Sequence, residues 1–218
     1  FRIMLKKIAL TTLAASTLLM AANASALTGV YVNGQIGYAD QSAKGELLSN
    51  GTSATDLTER TKRQGAWSTA LGYNFDLDEA ISFGAEFGYG YYGRTIWQAE
   101  SGSVDGFAKI KQSAWTLLFT AGYHFDEMFG AYFKAGPAFG SSDVRGDNSF
   151  SFDGAVTDES YNKTLPMIVL GGTFNIMPEL AVNLEWQHIF GAELTQEQPN
   201  RFQTVNAIMA GLTYTFEV

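Results

Sequence analysis

Ile81-Ser82-Phe83-Gly84-Ala85-Glu86-Phe87-Gly88-Tyr89-Gly90-Tyr91 alternates without a break. Its odd positions are apolar or aromatic and its even positions are Ser, Gly or Glu. A period of two over this length is a β-strand with two unlike faces. The aromatic face is too large and continuous for a surface turned to water. Against lipid it is the expected outer face, and glycines with a lone carboxylate suit a narrow interior. The stretch therefore reads as one stave of a transmembrane barrel.

The rest of the chain supports that reading. Its 218 residues suit one domain, and the absence of cysteine excludes a disulfide framework, a redox CxxC pair and thiolate metal sites. Only 4 prolines accompany 23 glycines, a balance that suits long strands with small lumen residues. Lys6 and Lys7 precede an apolar run from Ile8 to Met20 and then Ala24-Ser25-Ala26. This is the layout of a cleaved secretory signal, so residues 1–26 are read as a signal peptide and residues 27–218 as the barrel domain. Removing Arg2, Lys6 and Lys7 leaves 11 basic against 22 acidic residues, a formal charge of −11. Such a chain has no electrostatic footprint for nucleic acid.

Eight alternating segments follow, centred on Val30 to Tyr38, Ala66 to Phe75, Ile81 to Tyr91, Ile110 to Phe125, Gly130 to Gly140, Leu165 to Ile176, Leu180 to Gln187 and Thr204 to Phe216. The sixth alternates least clearly, with Gly171-Gly172 at its middle, and Pro137 predicts a bulge or break in the fifth. Long polar connections at Ala39–Arg63, Arg94–Lys109, Ser141–Asn162 and Gly191–Phe202 alternate with short turns. Short periplasmic turns, longer outer loops, an even strand count and aromatics crowding the strand ends describe an all-β, eight-stranded, antiparallel, up-and-down transmembrane β-barrel. A soluble ligand-binding barrel is the alternative, and it would need the aromatic face turned inward.

Gly84-Ala85-Glu86-Phe87-Gly88-Tyr89-Gly90-Tyr91-Tyr92-Gly93-Arg94 resembles the third strand of the outer membrane protein A transmembrane domain. Pro178-Glu179-Leu180-Ala181-Val182-Asn183-Leu184-Glu185-Trp186-Gln187 is similar to that family's third turn and seventh strand. The ending Gly211-Leu212-Thr213-Tyr214-Thr215-Phe216 resembles the aromatic-terminated signal read by barrel-assembly machinery, here followed by Glu217 and Val218. The resemblance implies a small outer-membrane barrel of a Gram-negative cell; the peptidoglycan-binding domain of full-length family members, and its cell-wall tethering role, are not expected here. It also implies a charged cluster in the lumen, carried by Glu86, Lys134 and Glu185. Asn183 stands where the family often has Arg.

Interior Glu86, Lys134, Asn183 and Glu185 are thus the leading candidate site, read as polar packing or as a gated ion path. Tyr31, Leu118 and Met167 are also placed to fill the lumen. His188 near the outer rim is followed two residues later by Phe190, where a lipid deacylase would need serine, and His124 falls at the periplasmic end with no serine beside it. No cofactor and no metal site are expected. Arg145-Gly146-Asp147, placed on the third loop, resembles an integrin-recognition motif, but three-residue matches arise by chance and the expected reading is an ordinary turn. The expected partners are outer-membrane lipid and an extracellular host, phage or surface ligand met by the loops, with the barrel a monomer. The function expected is structural or surface-interactive, with a low-conductance channel and a lipid-modifying enzyme as alternatives.

Overall fold

The computed structural model describes residues 29–42, 57–59, 63–77, 80–101, 104–146, 159–191 and 202–216. The segment read as a signal peptide lies outside them. Eight strands form the wall: β1 (Gly29–Ser42), β3 (Arg63–Asp76), β4 (Ile81–Ser101), β5 (Val104–His124), β6 (Phe129–Gly146), β7 (Glu159–Met177), β8 (Leu180–Ile189) and β9 (Thr204–Phe216). The short β2 (Leu57–Glu59) lies outside the ring and adds to β4. Each wall strand pairs antiparallel with its neighbours, and β1 closes the ring on β9 from Val30↔Phe216 to Ser42↔Thr204. Closure gives every wall strand a partner on both sides, a condition that lipid enforces because it offers no hydrogen bonds.

The alternation sets the two faces. Trp67, Leu71, Phe75, Phe83, Phe87, Trp115, Phe119, Leu184 and Ile208 are exposed on the outside. Asn33, Gln35, Glu86, Thr116, Lys134, Asn183 and Gln187 are buried within. The connections at the end where the chain enters and leaves the barrel are short. Asp126 shapes one of them by accepting from the Met128 and Phe129 backbone N–H groups at 2.8 and 2.7 Å through Oδ1.

The lumen is layered. Toward the long-loop end it is largely apolar: Tyr92, Leu165, Met167, Val169, Ile189, Phe202, Val205 and Met209 are buried, together with Gln41, Gln112, Ser142 and Gln203. Phe202 comes from the β8–β9 connection and folds inward over Gly140, where a Cβ would collide with its ring. A polar layer occupies the middle, and a cavity of about 140 Å³ lies toward the short-turn end. Tyr31, Leu118 and Met167, expected as lumen fillers, are among the buried residues.

Two details differ from the sequence reading, and two it flagged find their cause. Residues 94–109 are not a polar loop, because β4 and β5 continue as a paired ribbon until Ser101 meets Val104. Likewise β6 runs on to Gly146 and β7 begins at Glu159, so both flanks of the segment expected as the third loop, residues 141–146 and 159–162, are ladder. Pro137 gives the expected break in the ladder and not a bulge. The β5–β6 ladder lapses beside it at Leu117 and Leu118 and resumes in the same register. The β6–β7 ladder carries Pro137 opposite Pro166 without loss. Phe190 N–H donates to the Pro166 carbonyl at 3.0 Å, so the Pro166 backbone faces β8 and the two prolines remove nothing from each other. Finally, β7 alternates poorly because its inward residues Leu165, Met167 and Val169 belong to the apolar plug, which makes both faces apolar.

Candidate functional site

Lys134 stands on β6 with Glu86 two strands away on one side and Glu185 two strands away on the other. Its Nζ lies 2.7 Å from Glu86 Oε2 and 2.8 Å from Glu185 Oε1, with all three side chains buried. A buried charge is tolerated when it is paired and its remaining hydrogen-bonding capacity is met. Here both carboxylates receive a second donor. Tyr31 OH donates to Glu86 Oε2 at 2.8 Å and Tyr132 OH to Glu185 Oε1 at 2.8 Å.

The two tyrosines act alike because the sheet repeats one device. Tyr31 on β1, Gly72 on β3 and Glu86 on β4 are register partners in a row. Gly171 on β7 likewise pairs with Tyr132 on β6 and Glu185 on β8. A Cβ at Gly72 would run into the Tyr31 ring, and one at Gly171 into the Tyr132 ring. Each glycine leaves room for a ring to cross one strand and reach the carboxylate on the next. Sequence reasoning placed Lys134 and the two glutamates inside but missed the tyrosine–glycine pairs, whose only sequence signal is a glycine at an inward position.

Around the triad the network runs on. Gln187 Nε2 donates to Glu185 Oε2 at 2.9 Å and to Gln35 Oε1 at 3.1 Å, and Ser68 Oγ donates to the same Gln35 oxygen. Tyr92 OH donates to Gln187 Oε1 at 3.3 Å and so joins the polar layer to the apolar plug. Asn183 is buried but sits one layer away from the ions. Its Nδ2 donates to Thr213 Oγ1 at 2.7 Å, which also accepts from Asn33.

The other candidates are dispersed. His188 faces outward between Trp186 and Phe190, its Nδ1 2.7 Å from Asn206 Oδ1. Contrary to the sequence reading, a serine does share the His124 surroundings: Ser82 lines the same lower cavity, although no hydrogen bond joins the two among the described residues. No group of His, Asp and Glu side chains among the described residues could hold a metal ion. Arg145 and Gly146 are the last residues of β6, paired with Lys109 and Ala108, and are not on a loop. Asp147 lies outside the described residues.

A family model for the outer membrane protein beta-barrel domain matches residues 8–216. The chain belongs to that family. It is a small outer-membrane β-barrel of eight antiparallel strands, similar in fold to several solved barrels. The attachment invasion locus protein Ail of Yersinia pestis, solved in complex with the heparin analogue sucrose octasulfate, is 16% identical over 87% of this chain and 100% of that one, with a TM-score of 0.45. Neisserial surface protein A is 12% identical over 88% and 100%, at 0.45. OprG from Pseudomonas aeruginosa is 14% identical over 87% and 96%, at 0.46. No curated protein matches the chain.

Proposed function

We propose that this barrel is a non-enzymatic surface protein whose partners are met outside the membrane and not through the lumen. The observation that carries the reading is the β4–β5 ribbon. Above the outer aromatics Tyr89, Tyr91 and Trp115, the two strands stay paired from Arg94↔Lys111 to Ser101↔Val104, and β2 adds a third strand at Trp97–Ala99. Ordered sheet beyond the lipid band is not needed to span a bilayer, for which strands of about 9–11 residues suffice. Binding commonly resides on segments held by a rigid scaffold. The lumen offers little in comparison, since its outer half is packed solid by Tyr92, Phe202, Met209 and their neighbours.

In this reading the chain reaches a Gram-negative outer membrane by a cleaved signal peptide and acts as a monomer. A host, phage or surface ligand is then bound by the ribbon together with the first and third outer connections. Arg145-Gly146-Asp147 is no separate adhesion motif, because Arg145 and Gly146 are already committed to a ladder. The test is to join β4 to β5 by a tight turn just above Arg94 and Lys111 and to shorten residues 43–62 and 147–158. Assembly in the outer membrane and gel-shift on heating should survive, and attachment of expressing cells to host cells or phage should be lost. Full attachment by the shortened barrel would move the activity to the wall or the lumen.

A further inference from the structure

We propose that the outward face of β3, β4 and β5, at the outer edge of the lipid band, holds the phosphate of an anionic lipid headgroup between Arg94 and Lys111. A bulge in β4 sets up the site. Between Tyr91↔Ser113 and Arg94↔Lys111, Tyr92 and Gly93 together oppose Gln112 alone. Gly93 has a φ of 93°, which glycine adopts freely. Its Arg94 neighbour is fixed by a hydrogen bond from its N–H to Gln64 Oε1. The extra residue reverses the alternation of β4. Without it Arg94 would continue the inward series of Glu86, Gly88 and Gly90. With it, Arg94 shares the outward face with Lys111, which follows Trp115 and Ser113 on that side. Bulges re-aim side chains in this way.

The result sets two cations directly opposite each other, an arrangement that is destabilising by itself. Neither forms an ion pair among the described residues. Asp143 is the register partner of Lys111 on its other side, but one carboxylate leaves the row of three positive. The surroundings fit a lipid headgroup. Directly below lie Tyr91, Trp67, Tyr89 and Trp115, four rings in mutual contact at 4.9–6.5 Å, as at a membrane–water interface. Gly65, in line with Tyr38 on β1, has nothing within 4 Å of where its Cβ would stand. That leaves the outer surface bare at Gly65, between the Tyr38 position and the two cations. A phosphate seated there neutralises both charges while its acyl chains descend over the rings.

The experiment uses the full-length mature barrel in vesicles of phosphatidylcholine alone or of phosphatidylcholine with a minor share of phosphatidylglycerol. Its readout is the urea midpoint of unfolding by gel mobility. The midpoint of the parent should rise with phosphatidylglycerol. In the double variant Arg94→Gln/Lys111→Gln that rise should vanish, while in phosphatidylcholine alone the variant should match or exceed the parent because the repulsion is gone. Arg94→Lys keeps both charges and should keep the rise, as should Lys163→Gln, an exposed change on β7 away from the row. Inorganic phosphate added to phosphatidylcholine vesicles should not reproduce it. A rise that persists in the double variant, an equal loss in Lys163→Gln, or a full effect from free phosphate would each overturn the proposal.

Discussion

The Tyr31 ring occupies the space that a side chain at Gly72 would fill, and from there its hydroxyl reaches Glu86 one strand further on. Gly72→Ala should therefore displace the ring and destabilise the barrel by roughly 1–3 kcal/mol, the range for overpacking a filled interior. Equilibrium unfolding in detergent or vesicles measures it. In a Tyr31→Ala background the same glycine change should have much less effect, because the colliding atoms are absent. Equal losses in both backgrounds would separate the glycine from the tyrosine.

Lys134 serves two carboxylates, so removing it strands both. Lys134→Met should destabilise by about 3–5 kcal/mol, the range for breaking one member out of a buried ion pair. Adding Glu86→Gln should recover part of the loss, and adding Glu185→Gln as well should recover more. Strictly additive losses along this series, read from urea midpoints, would show that the three residues act independently.

The lipid face has the opposite chemistry. Phe87 is half exposed and stacks on Trp115 at 5.3 Å with the rings 14° apart. Phe87→Arg near the strand centre should destabilise the barrel in a bilayer by roughly 2–4 kcal/mol. In a soluble barrel the same change would be nearly silent, so folding yield into vesicles distinguishes the two.

Gly93 should tolerate no side chain. Its positive φ strains any other residue, and a Cβ would meet the Gln64 side chain. Gly93→Ala should cost about 1–3 kcal/mol as strained backbone does. Loss of heat-modifiability at lower urea than the parent is the readout.

Much of this barrel is legible in the sequence because lipid and lumen impose opposite demands on neighbouring residues. Where both demands act, as at Phe83 to Tyr91 or Leu180 to Gln187, alternation shows strand, facing and even the buried position of Glu86 and Glu185. Where one demand lapses, the signal goes with it. Arg94 to Ser101 leaves the lipid band, so nothing requires an apolar face and the ribbon looks like a loop. Leu165 to Val169 faces the apolar plug, so both sides of β7 look alike. The tyrosine–glycine pairs are hidden for another reason. They depend on which residues of distant strands stand opposite, and register between β1, β3 and β4 is a property of the closed sheet and not of any one segment.

Single-channel recording of the purified monomer in planar bilayers tests the central claim most directly. That claim is that the lumen is a packed core and the barrel works from its outer surface. With Tyr92, Phe202 and Met209 filling the outer half and Lys134 bridging Glu86 and Glu185 beneath them, no porin-sized steps should appear. Substituting Phe202→Ala and Tyr92→Ala together should admit ions if any change does. Stable porin-sized conductance from the unmodified barrel would contradict the account, because it would require an open path where the structure has a plug.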